Sequence, residues 1–600
     1  MKQLYTRWGR TFDTSNVLPE YPRPMMVRDS YINLNGYWEY AILENPEKPT
    51  GYDGQILVPF SPEAALSEVN RQLQPMQYLW YRRTFEKPED MKDGCLLLHF
   101  GAVDQACHVW VNGTLVSRHV GGYLPFEADI TKSLKEGTNE LLIQVRDYSD
   151  TSYHAKGKQK LKAGGMFYTA QSGIWQTVWM EVVPQQYVRR MTATPLPDEK
   201  KIRIKVEAGE ELPVEITVYP AGTFQEKSFM DYDRKNFPVG HESTDAASPL
   251  LTIKGRTNQE IEIELQQVSF WSPEEPYLYP YVMTAGEPDK ADVIRSYFAM
   301  RSFTVEIDEK QIPRICLNHK PYFQNGVLDQ GYWPEGLYTP PCDEALLFDI
   351  RSMKEIGFNM IRKHAKIELE RWYYHCDRLG MIVWQDMVNG GTRYKHWYVT
   401  YMATLLSRNK IRAKDIFTRL LSRTSKAGRL EFIREMKETI SVLYSHPCIA
   451  TWVLFNEGWG QFQTQDMTLI ARALDNTRLL DQASGWFDQG GGDLQSLHNY
   501  FFKLDFKPEG ERATVLSEFG GYTMKVMGHI CKEKTYGYGA FPNEEKLNKE
   551  FQIRIQEVFD KVDEGLCASV YTQLSDVEEE VNGLFTYDRE VQKIKKIEHP

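Results

Sequence analysis

Apolar positions recur along this chain in three different rhythms. In the first third, short runs rich in valine, leucine and aromatics (residues 96–100, 108–112 and 141–145) are separated by turn dipeptides such as Asn112-Gly113 and Glu136-Gly137. Short strands at regular spacing, with no helical period between them, predict a jelly roll or sandwich. Residues 201–206, 215–219 and 260–265 then alternate strictly between apolar and polar. That period buries one face of each strand and predicts an immunoglobulin-like β-sandwich. Near residue 305 the rhythm changes again. Amphipathic stretches at 346–356, 369–379 and 432–444 lead into apolar runs at 359–362, 381–384 and 449–455. With 322–327, 478–480, 494–500, 514–519 and 568–573, this makes eight strand candidates. Eight β/α units over roughly 280 residues are the size of a (β/α)8 TIM barrel. The expected organisation is a jelly roll at 1–185, the sandwich at 186–303 and the barrel at 304–600. Residues 390–430, with Trp397 and three tyrosines, read as extra helices capping the barrel or as a substrate lid.

Composition changes the picture mainly through what it excludes. Hydrophobic residues are 42% and charged residues 26%, ordinary globular usage that rules out a disordered or fibrous chain. The aromatic share of 13% suits sugar pockets, where rings stack on C–H faces, but it also suits large cores. A net charge of −11 leaves no field to collect phosphates, and the one basic stretch, 156–162, reads as a solvated loop. No nucleic-acid partner is expected. The eight cysteines are scattered, without CxxC or Cys/His pairs, so no metal site is expected and the thiols read as reduced and cytoplasmic. No apolar leader and no run of 18 apolar residues occurs, so no membrane partner is expected.

A barrel of this kind carries its chemistry at the C-terminal ends of its strands. Two apolar runs end there in glutamate followed by glycine: Asn456-Glu457-Gly458-Trp459-Gly460 and Ser517-Glu518-Phe519-Gly520-Gly521. Glycine lets the backbone turn close to a ligand. Glycoside hydrolysis needs two such carboxyls, one to protonate the leaving oxygen and one to attack or to activate water. Asn-Glu alone means little, since it also occurs in polar turns at Asn139-Glu140 and Asn543-Glu544. The pair Glu457 and Glu518, on one rim and flanked by aromatics, makes them the candidate catalytic residues.

With these residues in view, the chain resembles glycoside hydrolase family 2, which includes β-galactosidases, β-glucuronidases and β-mannosidases. Leu34-Asn35-Gly36-Tyr37-Trp38, Tyr81-Arg82-Arg83-Thr84-Phe85, Gly121-Gly122-Tyr123-Leu124-Pro125-Phe126 and Ser172-Gly173-Ile174-Trp175 are similar to its sugar-binding jelly roll. Phe298-Ala299-Met300-Arg301-Ser302-Phe303 resembles the strand closing its immunoglobulin-like domain. The resemblance implies a retaining exo-β-glycosidase with Glu457 as acid/base and Glu518 as nucleophile. It implies that Asn456 contacts the sugar 2-hydroxyl, that Arg362 holds the nucleophile ionised, and that Tyr500 hydrogen-bonds it. His364 stands near the family's substrate-pocket histidine, though Arg362-Lys363-His364 is spaced differently from the commoner Arg-Thr-Ser-His. No cofactor is implied; the partners are a glycoside or oligosaccharide substrate and, as in other large glycosidases, further copies of the chain.

The sugar is less legible. Family glucuronidases grip the substrate carboxylate with Asn-x-Lys, but the corresponding stretch reads Asn582-Gly583-Leu584. The one matching triplet, Asn318-His319-Lys320, reads as a hairpin before the first barrel strand. A β-galactosidase-like activity is therefore expected. The alternatives are a β-glucuronide, a β-mannoside, an α-L-arabinoside, or sugar binding without catalysis. Trp333, Trp384, Trp459 and Trp486 lie near strand ends and are pocket-wall candidates, with Trp486 and the polar Asp386 and His498 carried as substrate-binding residues. Asp147 and Asp150 read as surface loop, with a reach to the barrel as the alternative.

Overall fold

The computed structural model describes residues 2–91, 94–223, 248–408 and 411–598. The N-terminal part is a jelly roll of two facing antiparallel sheets. One runs in the order Gly54–Val58, Gly36–Leu43, Tyr78–Glu86, Thr138–Arg146, Ala106–Val111, Thr114–Val120. The other runs Tyr31–Asn33, Val178–Val183, Cys95–Phe100, Phe126–Asp129. Trp38, Tyr81, Leu98, Val109 and Ile143 fill the space between them. Asn112 and Gly113 turn the hairpin with φ of 50° and 82°, the two positive angles that a two-residue turn matching strand twist requires.

The strictly alternating segments form the second sandwich. A sheet of Val188–Leu196, Lys201–Ala208 and Glu260–Glu264 packs over one of Leu251–Arg256, Pro213–Val218, Tyr279–Ala285 and Asp292–Phe298. Ile202, Ile204 and Val206 are wholly buried, as their period of two requires. Arg28 pins the two β domains together, reaching Glu181 at 3.1 Å and Asp292 at 2.7 Å.

Eight parallel strands follow: β1 (Gln324–Asp329), β2 (Met360–Lys363), β3 (Ile382–Asp386), β4 (Ile449–Val453), β5 (Leu479–Asp481), β6 (Leu494–Asn499), β7 (Ala513–Gly520) and β8 (Leu566–Thr572). They pair in the order β5-β4-β3-β2-β1-β8-β7-β6, an almost closed barrel. The remaining seam, between β5 and β6, is bridged by the Asp493 amide donating to the Leu480 carbonyl at 2.9 Å and by Ser496 donating to Asp481 at 2.8 Å. Helices α1 (Asp343–Ile356), α2 (Glu370–Leu379), α3 (Lys426–Leu443), α4 (Thr464–Leu474) and α5 (Glu544–Phe559) connect strands on the outside. Asn318 and His319, at φ of 52° and 63°, form the expected hairpin between Pro313–Leu317 and Lys320–Pro321. All eight cysteines are free thiols. Among the described residues no helix is long and apolar enough to cross a membrane.

The stretch 390–430 carries, among the described residues, one π-helical turn, Trp397–Met402, one short α-helix, Ala403–Arg408, and the start of α3; residues 409 and 410 lie outside the described residues. The basic segment 156–162 departs from its reading as a solvated loop. The amides of Lys156 and Gly157 both donate to the Asn389 carbonyl, at 3.0 and 3.2 Å, just beyond β3. A Cβ on Gly157 would stand 2.6 Å from the Ala365 carbonyl, so glycine is what lets the jelly roll reach the barrel mouth. Lys156 and Lys158 are buried there. The sequence pattern missed this because the burial comes from another domain.

Candidate active site

Arg362, on β2, organises the floor of the barrel mouth. Its Nε and Nη2 donate to the two carboxylate oxygens of Asp386, at 2.9 and 3.1 Å. Its Nη1 donates to the Ser517 carbonyl at 3.0 Å and to Glu518 Oε1 at 3.2 Å, and Nη2 also donates to Asn456 Oδ1 at 2.9 Å. All five N–H donors of the guanidinium are thus engaged. Asp386, the last residue of β3, takes His364 Nδ1 as well, at 2.7 Å. Burial pushes the Asp386 carboxyl up, but Arg362 and His364 outweigh that and hold it below its usual value.

Glu518 lies within β7, and Glu457 four residues past the end of β4 in a turn at φ 50°. The Glu457 amide donates to the Ser484 carbonyl at 2.9 Å, which fixes that turn against the end of β5. His498, on β6, stands between the two carboxyls. Its Nδ1 is 3.0 Å from Glu457 Oε1, and its Nε2 is 2.9 Å from Ser484 Oγ and 3.7 Å from Glu518 Oε1. Tyr500 donates to Glu518 Oε2 at 2.5 Å. Burial alone would raise the Glu518 carboxyl, yet His498, Arg362, His364 and the Tyr500 hydroxyl draw it down to about 2. Burial and the neighbouring Glu518 charge push the Tyr500 phenol far upward, so it stays a donor. One oxygen of each glutamate and a His498 nitrogen all lie within 4.8 Å of one another. That compactness would also suit a metal ion; here Arg362 already places a positive charge on Glu518.

The structure brings together Glu457, Glu518, Asn456, Arg362, Tyr500, His498, His364 and Asp386. Trp486 meets the His498 ring edge-on at 5.2 Å between centroids, and Trp459 lies 6.2 Å from His364. The other two tryptophans are elsewhere. Trp384 is inside the barrel, donating to Gln324, and Trp333 packs under Arg589 and against Trp8. Asp147 is buried within the jelly roll, accepting from Ser149 and Ser172, while Asp150 accepts from the Leu161 amide. Lys158 of the same domain instead stands 6.0 Å from the centre of the Trp459 ring.

Sequence reasoning missed the layer beneath. Ser484 donates to Ser517 Oγ at 2.9 Å, and Ser496 Oγ, whose proton goes to Asp481, stands 2.6 Å from the same oxygen. Burial pushes the Asp481 carboxyl up to about 6. Position just after or within a short strand was the only available signal for these serines.

Jelly roll, sandwich and barrel, with paired glutamates over an arginine at the strand ends, define a multidomain barrel protein with a two-carboxyl site at its mouth. Comparison with known families makes this specific. Residues 64–184 match the sugar-binding domain of glycosyl hydrolases family 2, 186–301 match the model described as glycosyl hydrolases family 2, and 314–507 match that family's TIM barrel domain. The chain belongs to glycoside hydrolase family 2.

Relatives carry two activities in their names. A β-galactosidase of Thermoanaerobacter pseudethanolicus is 24% identical over 468 residues, 76% of this chain and 55% of that protein. A putative β-glucuronidase of Formosa agariphila is 23% identical over 392 residues, 63% of this chain and 39% of that protein. The chain spans between about a third and just over half of the length of the relatives it matches. Among solved structures, the β-D-glucuronidase of Dictyoglomus thermophilum superposes with a TM-score of 0.69 at 18% identity, covering 95% of this chain and 96% of that one. That likeness is one of fold.

Proposed function

We propose that this protein is a retaining exo-β-glycosidase working by double displacement, with Glu518 as nucleophile and Glu457 as acid/base. The observation that carries this reading is the approach of the two carboxyls, oxygens within 4.8 Å. Retaining pairs stand roughly 5–5.5 Å apart, whereas inverting pairs need about 6.5–9.5 Å to admit a water. Glu518, held ionised, attacks the anomeric carbon while Glu457 protonates the leaving oxygen. Water then enters and Glu457 takes its proton as the sugar–Glu518 ester breaks. Charge sits on Glu518 before attack and on Glu457 after it, so the cycle never needs two bare carboxylates side by side. Because Asn456 Oδ1 accepts from Arg362, its amide N–H groups are left to meet the sugar 2-hydroxyl. His364 is tied through Nδ1 to Asp386, and in this reading its other nitrogen serves the sugar.

A β-galactoside-type sugar is the reading supported by the names of the sequence relatives and by the loop around Asn582, whose amide donates to Glu580 within its own segment. Sugar binding without catalysis would require the loss of one carboxyl, and both stand in place. The test is a panel of nitrophenyl β-glycosides followed by proton NMR of the first-formed product. Retention is expected, with turnover lost in Glu518→Ala by about 10^4-fold or more. An inverted product, or a fully active Glu518→Ala, would sink the assignment.

A further inference from the structure

Five lysines are buried among the described residues: Lys156, Lys158, Lys363, Lys366 and Lys593. Four of them have their ammonium groups engaged. Lys156 donates to the Gly391 carbonyl at 2.8 Å, Lys363 to Glu368 at 3.0 Å, Lys366 to Glu368 and two carbonyls, and Lys593 to Asp576 at 2.6 Å. Lys158 has no hydrogen-bond or ion-pair partner among the described residues, although only 7% of it is exposed. Its backbone is fixed, its carbonyl accepting from the Tyr168 amide at 3.0 Å.

The ammonium lies between two rings, 5.5 Å from the centre of Tyr168 and 6.0 Å from the centre of Trp459. Trp459 is in turn 6.2 Å from His364, which is linked through Asp386 and Arg362 to Glu518. The Lys158 charge therefore sits on the His364 side of the sugar site, and it helps depress the imidazole there. Nearby carboxylates are already engaged: Glu580 by Tyr168 and Asn582, and Asp386 by Arg362 and His364. Rings at this range attract a cation but satisfy none of its three directional donors. Sugar hydroxyls could accept those hydrogen bonds without neutralising the charge. An anionic oxygen group does both.

We propose that Lys158, delivered by the jelly roll, is a specificity-determining residue of the barrel site and receives an anionic oxygen group of the glycoside, a carboxylate or a sulfate ester. This rests on the glycosidase reading above and deepens it. It concerns the charge carried by the sugar and leaves the galacto configuration at its ring carbons a separate matter. It also gives a physical sense to a loop at Asn582 without lysine: the cation comes from another domain, over Tyr168, whose hydroxyl shares Glu580 with Asn582.

The test compares kcat/KM on nitrophenyl β-galactoside, β-galacturonide, β-glucuronide and 6-sulfo-β-galactoside, for the wild type, Lys158→Met and Lys158→Arg. With nitrophenyl β-glucoside as the neutral partner of the glucuronide, the expected result is a preference for one anionic substrate over its neutral counterpart. That ratio should fall about 100-fold in Lys158→Met, as for the loss of a charged hydrogen bond, and survive better in Lys158→Arg. The arm that responds tells carboxylate from sulfate. A wild type that prefers the neutral galactoside, or a ratio unmoved in a Lys158→Met protein with wild-type melting, overturns the proposal. Glu518→Ala separates the two readings: if it abolishes turnover while Lys158→Met leaves the ratio alone, only the Lys158 assignment fails.

Discussion

The floor of the candidate site and its rim are built on opposite terms. On the floor Arg362 has no free donor, and Asp386, Asn456 and Glu518 all hold it in return. Serines 484, 496 and 517 repeat the pattern one layer down. On the rim, between β3 and α3, Trp397 and Tyr401 stand 55% and 75% exposed. Only the inner side of that segment is packed, with Tyr394 stacked on Trp459 at 5.7 Å and Tyr398 against Phe487 at 5.6 Å. The contrast teaches where chemistry and fold share residues and where they part. A floor substitution should cost activity and stability together, whereas an outer-rim substitution should register only in how a substrate is held.

The strongest way to break this comparison is Arg362→Met. Removing one partner of a buried ion network leaves Asp386 and Glu518 as uncompensated charges, which costs about 3–5 kcal/mol. Turnover should fall below one part in 10^3 at the same time. Arg362→Lys keeps the charge but not the fork that spans Asp386, Asn456 and Glu518, so rescue should be slight. Denaturant unfolding and kcat on one nitrophenyl glycoside check both halves. A Met variant with wild-type stability would mean that the floor is less tightly coupled than its geometry says.

Tyr500→Phe sharpens the same contrast with a single lost donor. A hydrogen bond to a charged group is worth about 1.5–3 kcal/mol, so kcat/KM should fall roughly 10- to 150-fold while the fold persists. The pH dependence has a definite sign. Glu518 sits at about 2 in the folded protein, below its ordinary value of 4.5. Its stabilising contribution is therefore present above about pH 4.5 and lost as pH falls toward 2. Removing the Tyr500 donor raises the folded value and narrows that window, so acid unfolding should begin at higher pH in the variant. Acid titrations followed by far-UV circular dichroism test this; an unchanged midpoint would take Tyr500 out of the account.

What the sequence disclosed follows the same divide. Strand periodicity, Asn456-Glu457 and Ser517-Glu518 were readable because barrel strands write their ends into the chain locally. Arg362, Tyr500, His364, His498 and Asp386 were named through resemblance or strand position, and the structure gathers them around the two glutamates. Trp384 and Trp333 could not be told from pocket walls by position alone, because a strand end does not say whether a ring turns inward to the core. Lys158 was hidden for a different reason. Its burial is created by contact between the jelly roll and Asn389 of the barrel, which no local pattern records.

The smallest effect is expected at the rim and completes the comparison. Trp397→Ala removes an exposed ring whose clearest aromatic neighbour is Tyr398, edge-on at 5.6 Å. Stability should move by no more than about 0.5 kcal/mol. Hydrolysis of a compact nitrophenyl glycoside should keep its kcat, because neither Trp459 nor the carboxyl floor loses a contact. KM should rise a few-fold only for substrates whose leaving group is long enough to reach the outer face. Tyr394→Ala, on the packed side of the same segment, is the control: it frees Trp459 and should raise KM for short substrates as well. Equal behaviour of the two variants would show that the segment acts as one body over the site, and the division between positioning face and exposed face would fall.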